Sequence, residues 1–283
     1  MKKNFFLFTL FSTVSVFAQE VNYSPAYFGP NANPVPEFTD ARIASKTNLQ
    51  LAEDFFFGFG DNTINTKFVV EIPLLPENVS MKLWLTTLEA YKVSNEVAEK
   101  RNMQTGKNTG TANGDIYVQT RIRILSEKEY APNIVLNSTL KTASAKPNDF
   151  KGRRYFDTPG YYFDVEIGKS IYIKNNILNE IRGVANLGFL CWETTNSRQN
   201  DAPMYGGKII LSNHFLNWEN SLSGYWGWIR NGDNPLIYSS KIKYKTKKIN
   251  YIVMYQYGIK DFPYHHIQAG ISIELDKLTP NYK

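Results

Sequence analysis

The sequence predicts an all-β chain, an antiparallel transmembrane β-barrel of about twelve strands. Three observations carry this: short segments in which apolar and polar residues alternate, connections whose lengths alternate along the chain, and aromatic residues gathered near strand ends. One cysteine in 283 residues cannot build a disulfide scaffold or a thiolate zinc cluster, and a 14% share of aromatics excludes a disordered chain. Lysines scattered among acids, with a formal charge of +6, give no nucleic-acid footprint.

The chain starts with Lys2 and Lys3, an apolar stretch from Phe5 to Val16, and Val16-Phe17-Ala18 before Gln19. This order of basic, apolar and small residues is that of a secretory signal peptide, so residues 1–18 are expected to be removed. Its apolar stretch is shorter than the about 20 residues a spanning helix needs. Residues 19–47 then form an extended lead-in, because Pro25, Pro30, Pro34 and Pro36 block regular strand pairing. The barrel is expected over residues 48–283.

Its strands are expected at 48–58, 67–75, 80–93, 114–125, 132–143, 160–169, 178–193, 203–215, 218–230, 235–246, 248–259 and 264–275. Four of them alternate cleanly. Ile116, Val118, Thr120, Ile122 and Ile124 oppose Asp115, Gln119, Arg121 and Arg123. Tyr161, Phe163, Val165 and Ile167 oppose Tyr162, Asp164 and Glu166. Leu236, Tyr238, Ile242 and Tyr244 oppose Ser239, Lys241, Lys243 and Lys245, while Ile267, Ile271 and Ile273 oppose His266, Gln268, Ser272 and Glu274. An even number of strands suits a single-chain outer-membrane barrel.

The third, fifth and seventh connections, Ser94–Asn113, Ser144–Pro159 and Thr194–Ala202, are long. Those between them are tight: Pro76–Val79, Ser126–Ala131, the stretch after Ser170, Leu216–Asn217 and Thr246–Lys247. Short periplasmic turns and long external loops produce this parity, which a soluble β-sandwich has no reason to show. Trp218, Tyr225, Trp226, Trp228, Tyr238, Tyr244, Tyr251, Tyr255 and Tyr257 are expected to form interface girdles.

The polar faces supply candidate lumen-lining residues: Asp115, Arg121, Arg123, Lys141, Asp164, Glu166, Lys241, Lys243 and Glu274. They either line a water path or pair across the lumen and close it; their basic members favour anionic solutes by field alone. Arg153 and Arg154 are candidate external-loop residues in a charged run that reads as a solvated face. His265 and His266 with Asp261 do not make a metal site, since neighbouring strand residues point to opposite faces. No cofactor or metal is expected, and the expected partners are outer-membrane lipid and a small solute. The function expected is passage of small solutes across the outer membrane. The alternative is a non-conducting barrel whose long loops bind a surface partner.

In its middle portion the chain resembles the outer-membrane barrel family labelled phenol-degradation meta-pathway transporter. The resemblance lies in GDIYVQTRIRIL (Gly114–Leu125), PNIVLNSTLKTASA (Pro132–Ala145) and GYYFDVEIGKS (Gly160–Ser170). Gly114-Asp115, Pro132 and Lys141-Thr142-Ala143 match that pattern, whereas Thr142-Ala143-Ser144 replaces its Pro-Thr-Gly ending. The resemblance implies passive or facilitated uptake. The Asn- and Tyr-rich style is similar to that of exported Bacteroidetes proteins. In strand count the chain also resembles outer-membrane phospholipases, but the nearest counterpart of their His-x-Ser-Asn motif is Ser212-Asn213-His214, in the wrong order for a serine nucleophile. Outer-membrane barrels usually end on an aromatic strand, whereas this chain runs past Leu275 to Tyr282 and Lys283, which leaves room for a periplasmic β-protein.

Overall fold

The computed structural model describes residues 24–146, 154–155, 158–174, 177–193 and 200–279. The signal peptide expected over residues 1–18 lies outside them. The strands are β1 (Thr47–Phe57), β2 (Asp61–Leu75), β3 (Val79–Val93), β4 (Thr109–Ala112), β5 (Ile116–Leu125), β6 (Asn133–Lys141), β7 (Gly160–Tyr172), β8 (Glu180–Trp192), β9 (Asn200–Ser212), β10 (Leu216–Tyr225), β11 (Leu236–Lys245), β12 (Asn250–Lys260) and β13 (His265–Leu275). Each pairs antiparallel with its neighbours, and β1 pairs with β13 from Thr47↔Leu275 to Phe57↔His265, which closes the sheet. All strands but β4 make up this closed barrel of twelve strands. Closure leaves no edge with unpaired backbone groups, the condition for a sheet to sit in lipid.

All twelve expected barrel strands are present, most within a few residues of their expected limits. The second is longer than expected, beginning at Asp61, because Thr63 and Asn65 are inward polar residues that keep the period without an apolar signal. Pro73, which interrupts that strand, sits at a register shift against β3. The short strand β4 and the helix α2 (Asn95–Lys100, capped by the Ser94 hydroxyl) belong to the long connection after β3 and carry too few residues for any period to show.

Side chains divide by parity. Leu51, Phe55, Leu136, Phe163, Leu187, Ile209, Leu222, Val253 and Ile271 are exposed on the outer face, while the buried polar groups Asp54, Asn65, Gln119, Asn137, Asn186 and Gln268 face inward. This is the inverse of a soluble core and suits a lipid-facing wall. Aromatics mark both rims. Tyr172, Phe215, Trp218, Tyr244 and Tyr251 lie near the end that holds Thr47 and Leu275, here the lower end, and Phe57, Phe189, Tyr257 and Trp226 near the upper end. Tyr225 is a correction: it is fully buried and turned into the barrel, because position 225 carries the inward parity of Glu219 and Ser223.

The Pro-rich lead-in does not stand outside the barrel. It enters the lumen at the upper end with a helical turn, α1 (Pro25–Phe28), descends through the interior and turns back into β1 at the lower end. Prolines suit this path, since each removes an N–H that would need a partner inside a closed lumen. At the lower end the residues after β13 fasten the seam: the Thr47 N–H donates to Thr279 Oγ1 at 2.9 Å, and Lys46 pairs with Asp276 at 2.8 Å.

Candidate lumenal site

The threaded segment is held at three levels. At the upper end Arg101, from the loop after β3, donates to the Ala26 carbonyl (2.9 Å), the Tyr264 hydroxyl (2.8 Å) and Asp61 (2.7 Å). Arg154 donates to Asp61 (2.8 Å), Glu89 (2.6 Å) and Thr63 (2.8 Å), and the Tyr155 hydroxyl donates to Glu89 (2.8 Å). Arg154 is therefore a correction to the solvated-loop expectation. Its side chain is 1% exposed, because residues 154–155 lie inside the barrel, where two buried carboxylates need a cation. Burial pushes the Tyr155 hydroxyl up, and the Glu89 carboxylate beside it pushes it further, so Tyr155 serves as a hydrogen-bond donor. Arg153 lies outside the described residues.

Around α1 an apolar cluster forms at the upper end. Phe28, Ala32 and Val35 of the segment pack with Tyr162, Leu190, Trp192, Tyr225, Ile237, Phe262 and Tyr264 in one buried cluster. Phe262 and Tyr264 meet edge to face at a centroid distance of 5.2 Å.

At mid-height the β5–β9 wall grips the segment. Glu166 accepts from the Thr39 N–H (2.7 Å), the Thr39 hydroxyl (2.6 Å) and the Ala41 N–H (3.1 Å). Arg121 pairs with Glu71 at 2.8 Å and with Glu166 at 3.4 Å, linking β2 and β7 through β5. Asn137 and Asn186 donate to Asp164 at 2.8 and 2.7 Å. Two glycines make room. A Cβ at Gly168 would fall 2.9 Å from the Ala41 Cβ, and one at Gly206 would fall 2.6 Å from the Phe38 ring.

At the lower level Arg182 donates to the Asp40 carbonyl (2.6 Å) and pairs with Glu127 (2.6 Å), while Arg42 pairs with Glu180. Burial pushes the Glu127 carboxyl up, but the hydrogen bonds from Arg182 and the Ser170 N–H, with the charges of Arg182 and Lys169, hold it below the usual carboxylate range.

The other wall is open. A cavity of about 310 Å³ lies beside the segment, lined mainly by β1–β3 and β10–β13 with Tyr117, Tyr162 and Trp192 from the other wall, and Glu37, Lys67, Lys82, Trp84, Lys241 and Lys243 are among its lining residues. Glu37 is 48% accessible, and since it lines this cavity the exposure is to lumenal water. It pairs with Lys67 at 3.0 Å. Trp84 stacks on Tyr117 with centroids 4.9 Å apart, and the Lys82 ammonium lies 5.3 Å from the Trp84 ring centre.

The residues expected to line the lumen thus part company. Arg121, Asp164 and Glu166 are locked with the segment and with each other. Lys141 pairs with Asp115 at 2.6 Å just below the upper loops. Lys241 and Lys243 line the cavity, as does Asp115. Arg123 lies at the lower rim, where it donates to Asn78 at 2.8 Å, and Glu274 is exposed at the end of β13. Glu37, Lys67, Lys82, Glu71, Arg182 and Lys208 escaped the sequence reading, although Arg182 and Lys208 carry the inward parity of the strands that hold them.

His266 and His265 face opposite ways, as their adjacency on a strand requires. His266 Nε2 meets Asp54 at 2.8 Å inside the barrel, and His265 stacks on Phe57 outside it. Ser212-Asn213-His214 forms a lower turn in which Asn213 Oδ1 accepts from the N–H groups of Phe215 and Leu216. Among the described residues no cluster of His, Cys, Asp and Glu could hold a metal ion.

No family model matches the chain, and a search of curated proteins finds no match. Among solved structures the chain is similar to an outer membrane channel from Pseudomonas putida F1, with 9% identity and a TM-score of 0.54, over 85% of this chain and 100% of that one. It is also similar to the NanC porin, with 10% identity and a TM-score of 0.52, over 80% of this chain and 100% of that one. At these identities the likeness is one of fold: an outer-membrane β-barrel.

Proposed function

We propose that the protein is an outer-membrane channel for small solutes, exported by its signal peptide and closed in this state by its own N-terminal segment. The observation that carries this reading is the charged, water-accessible cavity beside the segment. A barrel serving only as a scaffold would gain stability by filling that space, because unfilled volume forfeits packing contacts. Both similar folds are described as a channel or a porin, and the resemblance to phenol-degradation transporters supports small organic solutes over macromolecules. On the rule that an even-stranded barrel keeps its strand termini in the periplasm, the cavity's lower end is periplasmic and the apolar cluster external. Transport then requires the segment to shift.

The non-conducting alternative draws on one observation, the apolar cluster at the upper end of the lumen. Planar-bilayer recording separates the two. The full chain is expected to show rare openings, and a variant lacking residues 24–43 frequent or continuous conductance steps, provided that both show a boiled-versus-unboiled gel shift. Absence of conductance from a folded variant without the segment overturns the channel reading.

A further inference from the structure

The cavity holds more positive charge than its carboxylates neutralise. Lys67 is paired with Glu37, Glu71 with Arg121, Glu219 with Lys208 and Asp54 with His266. Lys82, Lys241 and Lys243 line the same space, and among the described residues none of the three ammonium groups makes an ion pair or donates a hydrogen bond. Half-buried ammonium groups facing a low-dielectric wall strongly favour a counter-ion. The one carboxylate that the threaded segment sends among these lysines is Glu37, and its neighbours in the chain, Pro36 and Phe38, are buried. Beside Lys82 lies the Trp84–Tyr117 stack, an apolar surface lining the same cavity.

The geometry points to a binding site for a small organic carboxylate with a flat apolar body, its carboxylate among Lys67, Lys82 and Lys241 and its body on Trp84. In the closed state Glu37 occupies the carboxylate position as a tethered substitute. An incoming carboxylate takes over the bond to Lys67, so ligand binding and retention of the segment are competitive. By linkage, each weakens the other by the same factor. Such a ligand is the cargo of the proposed channel, and its binding amounts to transport only on that reading.

The test is calorimetric titration of benzoate into the full chain in detergent at low ionic strength, with benzyl alcohol as the uncharged probe of similar shape. The wild-type chain is expected to bind benzoate weakly, and Glu37→Gln at least five-fold more tightly because the competitor is gone. Adding Lys82→Met and Lys241→Met to Glu37→Gln is expected to lower affinity at least ten-fold; if that variant loses its gel shift, Lys243→Met replaces Lys82→Met. Equal affinity for benzoate and benzyl alcohol, no binding to Glu37→Gln, or binding indifferent to the lysines overturns the site. Binding as expected in a protein that never conducts without its segment upholds the site and defeats the channel reading. Conductance without benzoate binding does the reverse.

Discussion

The two walls of the lumen are built from similar strands and do opposite things. The β5–β9 wall meets the N-terminal segment with directed bonds, Glu166 to Thr39 and Ala41, Arg182 to Asp40, and with glycine slots at positions 168 and 206. The wall from β10 round to β3 bonds it at fewer points, Asn65 and Glu89 at Asn31 and Lys67 at Glu37, and leaves Lys82, Lys241 and Lys243 facing a cavity. The difference is one of satisfaction. A charge buried against backbone N–H groups is fixed in place, whereas a charge facing lumenal water keeps its hydration and stays available.

Substitutions sharpen this contrast, and the largest effect belongs to the gripping wall. Arg121→Ala leaves Glu71 and Glu166 without their shared cation, and a cost of about 3–5 kcal/mol is expected for removing one partner of a buried pair. The temperature at which the unboiled gel form is lost should fall accordingly. Glu166→Gln weakens three bonds from the segment, at about 1–3 kcal/mol. Hydrogen exchange should then quicken at the Thr39 and Ala41 amides while the strands stay protected. Gly206→Leu drives a side chain into the Phe38 ring, an overpacking worth about 1–3 kcal/mol, and should raise open probability in bilayer recordings.

A smaller effect is expected from acid. Glu127 has its pKa held down in the folded protein, so the stability it contributes is present above the usual carboxylate range and lost as pH falls through its depressed value. Glu127→Gln should flatten the acid limb of the stability profile measured by gel shift. The smallest effect is on the open wall: Lys241→Met should change stability by no more than about 0.5 kcal/mol, since no bond is broken. A large loss there would mean that the walls are not as different as they look.

Alternation alone exposed much of this. Strands β5, β7, β11 and β13 show their inward faces in the sequence, so Arg121, Asp164, Glu166, Lys241 and Lys243 were identifiable as lumenal. Lys82 was obscured because β3 changes parity at a bulge, where Thr87 is left between Thr86 and Leu88 in the pairing with β2. The path of residues 24–46 was illegible for a different reason. Proline dictates an extended backbone but carries no period, so nothing local says whether such a chain lies outside the barrel or within it. Arg154 was misread because a charge run looks alike in solvent and in a buried network, and only the tertiary structure brings Asp61 and Glu89 to it.

The threaded segment also has a mechanical character. Its lower end is continuous with β1 and stapled through Thr47 to the far end of β13, while Ser24 lies at the opposite mouth. A pull from the mouth loads the attachments one after another, first Arg101 at Ala26, then Glu37, then Glu166. That is peeling, which needs little force at any instant. A pull from the lower end meets the anchored end and loads β1 in shear along its whole hydrogen-bonded seam with β13. The same fastening is thus weak toward one end of the barrel and strong toward the other, a ratchet in tension made from a single strand of chain.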